Sequence, residues 1–275
     1  MLTTAEHRRD SAGMTYIYPV VSRRAGGVSV GVNLNVNNAC NWACVYCQVE
    51  NLQRGGPPPI DLGLLEQELD GFLAGAPAFL ASAVAPEARR IVDVAFSGNG
   101  EPTSAAEFPQ AVGIVRRALE RHGLAQSVVI RLITNGSLLH RPAVRRGIAA
   151  IGEAGGEVWF KVDRVGPQAA AINGVPQDAG RVLKHLLACA ALARTWVQTC
   201  WFALDGAAPG PAERQAYCDL IGQARQAIAG IHLYGLARPS LQPAAPRLQR
   251  LEAAELEAFA AEIEKKTGVR AVVSP

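Results

Sequence analysis

The residues with the clearest chemical meaning are three cysteines in one short segment. Cys40, Cys44 and Cys47 fall within eight residues and follow an apolar run over residues 28–32. Cysteine thiolates are the usual ligands of iron–sulfur clusters, and a four-iron cluster usually takes four of them. Three ligands leave one iron open to a small molecule. The spacing therefore indicates a catalytic cluster rather than one that only carries electrons.

Two other interpretations of the cysteines are weaker. Cys44 and Cys47 alone have a Cys-x2-Cys spacing that is common in zinc sites, but no second Cys or His pair stands at zinc spacing. A non-catalytic electron carrier would want a fourth cysteine near the first three. The remaining cysteines are isolated and are expected to be buried thiols: Cys189, Cys200 and Cys218. Six cysteines in 275 residues do not indicate a secreted disulfide scaffold.

Short apolar runs alternate with longer segments of helical periodicity, which predicts an α/β fold. Strands are predicted over residues 28–36, 91–97, 128–134, 158–163, 196–204 and 231–236. Helices are predicted over residues 62–73, 105–122, 141–154, 179–193, 212–228 and 252–266. Six β–α units in series predict parallel strands with right-handed crossovers, and six units are too few for a closed eight-stranded barrel. An open, partial (β/α)6 barrel of the TIM type fits this pattern better than a flat, doubly wound sheet, although the periodicity is compatible with both.

The rest of the chain adds little to this core. Weaker strands are predicted over residues 14–21 and 269–273. We expect an N-terminal extension over residues 1–26, a barrel core over 27–240, and a C-terminal helix and edge strand over 241–275. The formal net charge of +3 favours neither presence nor absence of a nucleic-acid partner. With no apolar signal segment and no run of membrane-spanning length, a cytoplasmic protein without membrane association is expected.

Polar residues stand at the ends of the predicted strands, and in a parallel α/β fold these ends lie at one face. The second strand runs into Gly98, Asn99, Gly100 and Glu101, which form either a plain turn or a loop whose glycines allow close approach to a ligand. In the plain turn, Thr103 or Ser104 would cap the next helix. The third strand ends in Thr134 and Asn135, which likewise form a turn or hold a ligand.

Lys161 is unusual because it lies within an apolar strand. An unpaired buried ammonium is costly, so we expect a partner. Asp163 is two residues away and shares its face of the strand. Lys161 therefore pairs with Asp163, holds a carboxylate, or acts as an amine toward a carbonyl group. We predict catalytic roles for Lys161 and Asp163. Candidate substrate contacts are Gln198, Tyr234 and Arg238, although Tyr234 is also compatible with the core and Arg238 with the surface.

These motifs together resemble the radical S-adenosylmethionine (SAM) superfamily. The resemblance is carried by Cys-x3-Cys-x2-Cys with an aromatic residue before the last cysteine, followed by Gly-Asn-Gly-Glu-Pro-Thr over residues 98–103. It extends from about residue 28 to about residue 240. The motifs over residues 96–103, 134–137, 161–163 and 233–239 are similar to the branch that contains wyosine tRNA-base-forming enzymes and their uncharacterised bacterial relatives.

The resemblance implies two cofactors, a 4Fe–4S cluster and SAM. The three cysteines would bind three irons, and the fourth iron would bind the amino and carboxylate groups of SAM. Tyr46 is expected near the adenine. The loop over residues 98–101 would accept hydrogen bonds from the SAM ammonium group. Thr134 and Asn135 would hold the ribose or the carboxylate, and Lys161 stands where many relatives have a cofactor-contacting Ser.

The implied activity is that of an oxidoreductase. One electron from a donor such as flavodoxin or ferredoxin cleaves SAM to methionine and a 5′-deoxyadenosyl radical, which takes a hydrogen atom from the substrate. We expect a small-molecule or peptide substrate. A tRNA base is the alternative, but the wyosine enzymes use additional N-terminal cysteines, none of which precede Cys40 here, and the chain lacks a strongly basic face. Activation of a glycyl-radical partner is a third possibility.

Overall fold

The computed structural model of the chain describes residues 13–22 and 26–275, so most of the expected N-terminal extension lies outside the described residues. Within these ranges the helices are α1 (Leu62–Ala83), α2 (Phe108–Arg121), α3 (Pro142–Glu153), α4 (Pro167–Asn173), α5 (Ala179–Ala190), α6 (Pro211–Ala224) and α7 (Ala253–Thr267). The strands are β1 (Ile17–Ser22), β2 (Gly27–Val32), β3 (Ala39–Cys40), β4 (Gln53–Arg54), β5 (Ile91–Phe96), β6 (Val129–Thr134), β7 (Glu157–Lys161), β8 (Arg194–Cys200), β9 (Ala203–Leu204), β10 (Gly230–Tyr234), β11 (Leu248–Gln249) and β12 (Ala271–Ser274).

The chain divides into two compact units. The first comprises Met1–Asn41, Gly55–Thr134 and Arg141–Glu157. The second comprises Trp42–Arg54, Asn135–His140 and Val158–Pro275. The predicted division into extension, core and C-terminal segment is a different partition and stays a prediction.

In the first unit, four strands lie in the order β1, β2, β5 and β6. β1 is antiparallel to β2, whereas β2, β5 and β6 are parallel. All six residues of β2 are buried, as expected for a central strand covered on both faces. Gly31 of β2 lies against the ring of Tyr18, where a Cβ atom would come within 2.1 Å of a ring carbon. A side chain at this position would displace the Tyr18 ring from β2.

Buried charges cross three of these strands. The Arg131 guanidinium on β6 pairs with Asp93 on β5 and lies 2.8 Å from Glu157, and Ser29 on β2 donates to Asp93. Asp93 is 1% exposed. Removing one partner of a buried ion pair typically costs about 3–5 kcal/mol because the other charge is left uncompensated. This cluster therefore fixes the strands of the first unit relative to one another.

In the second unit, β7, β8, β10 and β12 lie in that order, and β8, β10 and β12 pair in parallel. A short antiparallel pair is formed by β9 and β11. The rings of Trp201 and Phe259 stack with centroids 4.2 Å apart, and the Arg164 guanidinium lies 3.9 Å from the Trp201 ring. Large aromatic side chains thus pack α7 against the end of the strand layer.

The predicted α/β class with an open, partial barrel of mainly parallel strands is confirmed. The predicted fifth strand, over residues 196–204, is interrupted after Cys200. Arg164 explains the interruption, because its guanidinium donates to the carbonyl groups of Cys200 and Phe202. These carbonyls are thereby satisfied without a strand partner.

Two helices differ from expectation. α1 continues to Ala83, beyond the predicted end at residue 73, although Pro77 lies within it. Phe79 and Leu80 pack against a buried cluster that includes Val21 and Val28, so tertiary packing outweighs the proline. α4 was not predicted, because its seven residues are too few for a periodic pattern. No helix in the described part of the chain has both the length and the apolarity needed to span a membrane.

Candidate functional site

The three cysteines of the loop form no disulfide among the described residues, and each is half-buried. Cys40 ends β3, and Cys44 and Cys47 follow in the turns after it. Among the described residues, no three His, Cys, Asp or Glu side chains are already gathered as a metal site. The donor set nevertheless fits an iron–sulfur cluster by chemistry, since it consists of three cysteine thiols within eight residues.

The C-terminal end of α4 supports the part of this loop that belongs to the second unit. The Ala43 amide donates to the Asn173 carbonyl at 3.0 Å, and the Val45 amide donates to the Ile172 carbonyl at 2.8 Å. Gly174 follows with a φ of 70°, and a Cβ atom there would lie 2.8 Å from Ala43. Only glycine combines this left-handed conformation with such a close approach. The unpredicted helix thus fixes the main chain beside Cys44.

A second support comes from the segment after β10. The Ser240 hydroxyl donates to the Val45 carbonyl at 2.7 Å, and the Leu241 amide donates to the Cys47 carbonyl at 3.0 Å. The Gln242 side-chain amide donates to the carbonyls of Val49, at 2.7 Å, and Cys47, at 3.2 Å. These bonds hold the far end of the loop through groups nearly 200 positions away in sequence.

We predict that Gln242→Ala loosens the loop without removing a cysteine. Two hydrogen bonds are lost, and at about 0.5–1.5 kcal/mol each the loop is destabilised by about 1–3 kcal/mol. A reconstituted iron–sulfur cluster should then be released to a chelator several-fold faster, which is followed by absorbance. The matched control is Gln223→Ala on the exposed face of α6, whose side chain donates only to the Asp219 carbonyl. Equal release rates in both variants would contradict the prediction.

Lys161, Tyr46 and Asp163 form one hydrogen-bonded group. The Lys161 ammonium donates to the Tyr46 hydroxyl at 2.6 Å, and that hydroxyl donates to Asp163 Oδ2 at 2.5 Å. Lys161 Nζ lies 3.9 Å from Asp163 Oδ2 and 4.7 Å from the centre of the Tyr46 ring. The structure thus brings together three predicted site residues, one from the cysteine loop and two from the end of β7.

Asp163 is buried and its two oxygens are held from several sides. Its Oδ1 accepts from the Cys200 amide at 2.9 Å, and its Oδ2 accepts from the Asn173 side-chain amide at 2.7 Å. The same Asn173 nitrogen lies 3.3 Å from Cys44 Sγ. The carboxylate therefore organises the group that joins Lys161 to the cysteine loop.

The charge state of this group follows from its surroundings. Burial has the largest single effect and would lower the pKa of Lys161. The Asp163 carboxylate, together with Cys44, Tyr234 and Cys200, outweighs it, and the pKa stands well above its usual value. Burial and then Asp163 raise the pKa of Tyr46 well above its usual value. Burial also raises the pKa of the Cys44 thiol, opposed by the Lys161 charge. At neutral pH, Lys161 is an ammonium ion and Tyr46 a neutral phenol.

In the first unit, the loop over residues 98–101 is shaped by two asparagines that follow β2, Asn33 and Asn35. Asn33 Oδ1 accepts from the Asn99 amide at 3.0 Å, and a Cβ on Gly98 would lie 2.3 Å from that oxygen. A Cβ on Gly100 would lie 2.2 Å from the Ala39 carbonyl. Both glycines are therefore required for the backbone to pass this closely.

Glu101 is buried and bonded within this unit. Its Oε1 accepts from the hydroxyls of Thr103 and Thr134, each at 2.6 Å. Glu101 caps the one-turn 3₁₀ helix Pro102–Ser104. The next helix, α2, begins after Glu107 without a side-chain cap, so neither Thr103 nor Ser104 caps it. In the second unit, Asn135 Oδ1 accepts from the Ser137 amide at 3.0 Å, which is an Asx turn. The internal bonds of Glu101, Thr134 and Asn135 give each of them a structural task as well.

The predicted substrate contacts occupy related positions in the second unit. Gln198 on β8 and Tyr234 on β10 lie on neighbouring parallel strands, and Gln198 pairs in register with His232. His232 and Tyr234 are two residues apart on β10, so their side chains lie on the same face of the strand. Tyr234 is half-buried against a cluster that includes Cys200 and Phe202. Arg238 is half-buried beyond the end of β10.

Sequence reasoning missed Asn173, Asn33 and the 240–242 segment. Asn33 and Asn35 stand two apart directly after an apolar strand, and this alternation was a usable signal. Asn173 had one weaker signal, an Asn-Gly pair that is typical of a helix end. Nothing local marks Ser240 or Gln242, because their partners are distant in the chain.

Comparison with solved structures yields likenesses over nearly the whole chain. TYW1, in a structure with a lysine–pyruvate adduct bound, aligns with a TM-score of 0.61 at 15% identity over 97% of this chain and 80% of that one. A radical SAM methyltransferase from Sphaerobacter thermophilus gives 0.61 at 16% identity over 94% and 68%. Streptococcus suis SuiB bound to S-adenosylmethionine gives 0.56 at 10% identity over 90% and 47%, so this chain spans about half the length of SuiB. At these identities the likeness establishes the fold, which is the one seen in radical SAM enzymes.

Comparison by sequence yields less. No family model matches the chain. The GTPase Obg of Brachyspira hyodysenteriae is 25% identical over 130 residues, which are 46% of this chain and 16% of that protein. The chain thus spans about a sixth of the length of the curated relative that it matches. The present chain contains no Gly-Lys pair, which a phosphate-binding loop of the P-loop type requires.

Proposed function

We propose that this protein is a radical SAM enzyme that cleaves S-adenosylmethionine reductively and abstracts hydrogen from a small-molecule or peptide substrate. The observation that carries the proposal is the hydrogen-bonded group Lys161–Tyr46–Asp163–Asn173, which ends on Cys44. It joins a three-cysteine loop to charged residues at the end of a parallel strand. A fold shared with a radical SAM methyltransferase supports the same conclusion.

The cysteines Cys40, Cys44 and Cys47 would hold a 4Fe–4S cluster. When bound, the cluster supplies the electron that cleaves SAM to methionine and a 5′-deoxyadenosyl radical, with flavodoxin or ferredoxin as the proposed donor. The loop over residues 98–101 would offer backbone carbonyls to the SAM ammonium group, and its glycines let it pack closely against Asn33 and Ala39. Thr134 and Asn135 would lie near the ribose or the carboxylate.

We assign to Lys161 the task of holding a carboxylate, either of SAM or of the substrate. A raised pKa keeps it charged, and charged donors form the stronger hydrogen bonds to carboxylates. Asp163 and Tyr46 would fix the ammonium in place. The alternative is an amine that attacks a carbonyl group, which the lysine–pyruvate adduct in TYW1 brings into consideration. An amine nucleophile has to be neutral, and the surroundings of Lys161 oppose that state.

Gln198, Tyr234 and Arg238 are proposed substrate contacts. We favour a small molecule or a peptide over a tRNA base because the basic residues are scattered along the sequence. The likeness to TYW1 keeps a tRNA base as the second candidate. Nucleic acid that copurifies with the protein and is released by salt would favour this second candidate.

The reaction is tested by anaerobic reconstitution with iron and sulfide, followed by dithionite and SAM. An enzyme of this class yields 5′-deoxyadenosine, measured by liquid chromatography with mass spectrometry. An electron carrier gives only a change of oxidation state. Bound zinc in place of iron, or a cluster that yields no 5′-deoxyadenosine with SAM, would overturn the proposal.

A further inference from the structure

We propose that Asn173 is a positioning residue that donates a hydrogen bond to the Cys44 sulfur and so sets how readily iron bound there is reduced. This inference rests on the function proposed above. The Asn173 amide nitrogen lies 3.3 Å from Cys44 Sγ and 2.7 Å from Asp163 Oδ2. An amide nitrogen carries two hydrogens, so one group serves both acceptors.

The orientation of this amide is determined by its neighbours. A carboxylate only accepts hydrogen bonds, so the NH2 side of Asn173 has to face Asp163, and Cys44 lies on that same side. On the other side, Gln177 Nε2 donates to Asn173 Oδ1 at 2.9 Å. This orientation of the Asn173 amide therefore satisfies Asp163, Cys44 and Gln177 together.

The residue is also fixed in space. Asn173 is completely buried, and its main-chain carbonyl accepts a hydrogen bond from the Ala43 amide at 3.0 Å. Gly174 then turns the chain away, with no room for a Cβ beside Ala43. Main chain and side chain of one residue thus hold both the loop and the sulfur within it.

The chemical consequence concerns the reduced state. Reduction adds negative charge that is shared with the sulfur ligands, and an N–H group directed at a sulfur stabilises this charge. Hydrogen bonds to the sulfurs are among the features that set cluster potentials. Asn173 should therefore raise the potential relative to a loop without this donor.

The test is a redox titration of the reconstituted protein without SAM, in which the reduced cluster is followed by electron paramagnetic resonance. Asn173→Leu keeps approximate volume and removes the donor. We expect the ratio of reduced to oxidised cluster at a fixed potential to fall about tenfold, which is about 59 mV for one electron. Gln177→Ala, which frees the amide to turn, should give a smaller shift in the same direction and covers the case in which Asn173→Leu does not fold.

The matched control is Thr195→Val. The buried Thr195 hydroxyl donates to the Ala193 carbonyl at 2.9 Å and lies 3.5 Å from the Sγ of Cys189, which is outside the loop, so its loss should leave the potential unchanged. Unchanged potentials in the Asn173 and Gln177 variants, or an equal shift in the control, would overturn the inference. A wild-type cluster that does not cleave SAM overturns the proposed function while the potentials remain comparable. Wild-type protein that binds no cluster overturns both.

Discussion

Cys44→Ala should abolish formation of 5′-deoxyadenosine, while Cys218→Ala should leave it near the wild-type level. Loss of an outer partner of a metal ligand typically costs about 10–100-fold in affinity or activity, so loss of a ligand itself should exceed about 100-fold. Cys218 is buried on α6 and takes no part in the loop. Iron content, acid-labile sulfide and 5′-deoxyadenosine are measured on all three proteins in parallel.

The pair of cysteine variants separates two explanations of a loss. A general effect of removing a cysteine would lower 5′-deoxyadenosine formation in both variants. Loss of a cluster ligand would lower it only in Cys44→Ala. Cys44→Ala also removes the acceptor of the Asn173 amide, but Asp163 remains to accept from it. The fold of the second unit should therefore persist in this variant. Wild-type iron content in Cys44→Ala would exclude Cys44 as a ligand.

Local patterns in the sequence were sufficient for the parts of the site that are contiguous in the chain. Alternation along a strand predicted that Lys161 and Asp163 share a face, and their charged atoms lie 3.9 Å apart. The glycines at 98 and 100 were predicted to form a turn or to allow close approach to a ligand. Both lack room for a Cβ because Asn33 and the Ala39 carbonyl lie against them, and the ligand contact stays a prediction. In each case the reason is steric or geometric over a few residues.

The parts that sequence could not supply depend on tertiary contacts. Ser240 and Val45 are 195 positions apart, and only the complete topology brings a donor to that carbonyl. Arg164 ends β8 by binding two carbonyls, which no propensity of the strand residues themselves foretells. α4 is a single short helix that depends on the loop it supports. Local sequence patterns therefore did not reveal the polar groups that surround Cys44.

Buried asparagines hold a loop in each of the two units. Asn33 shapes the loop around Gly98 in the first unit, and Asn173 bonds Asp163 and Cys44 in the second. An amide offers donors and an acceptor without a charge, so it can be buried at lower cost than a carboxylate or an ammonium. A search for buried Asn next to glycine or after an apolar strand is thus a useful addition to cysteine spacing.

Lys161→Ala should keep the cluster and lose most of the product. Asp163 retains the Asn173 amide and the Cys200 amide in this variant, so the loop supports stay in place. What is lost is an ammonium that would hold a carboxylate, and a charged hydrogen bond contributes about 1.5–3 kcal/mol, or about 10–150-fold. We expect 5′-deoxyadenosine formation to fall within that range at unchanged iron content. Lys265→Ala, on the exposed surface of α7, is the control and should not change the rate.

Two further measurements distinguish the roles open to Lys161. Lys161→Arg keeps a positive charge and should recover part of the activity if the residue holds a carboxylate, whereas an amine nucleophile would not be replaced by a guanidinium. Borohydride added to wild-type protein with pyruvate would trap an amine adduct, detected as a modified Lys161 peptide by mass spectrometry. Because the Asp163 carboxylate keeps the pKa of Lys161 high, we expect no trapping near neutral pH. Trapping without rescue by arginine would assign the amine role instead, and full activity of Lys161→Ala would remove this lysine from the site.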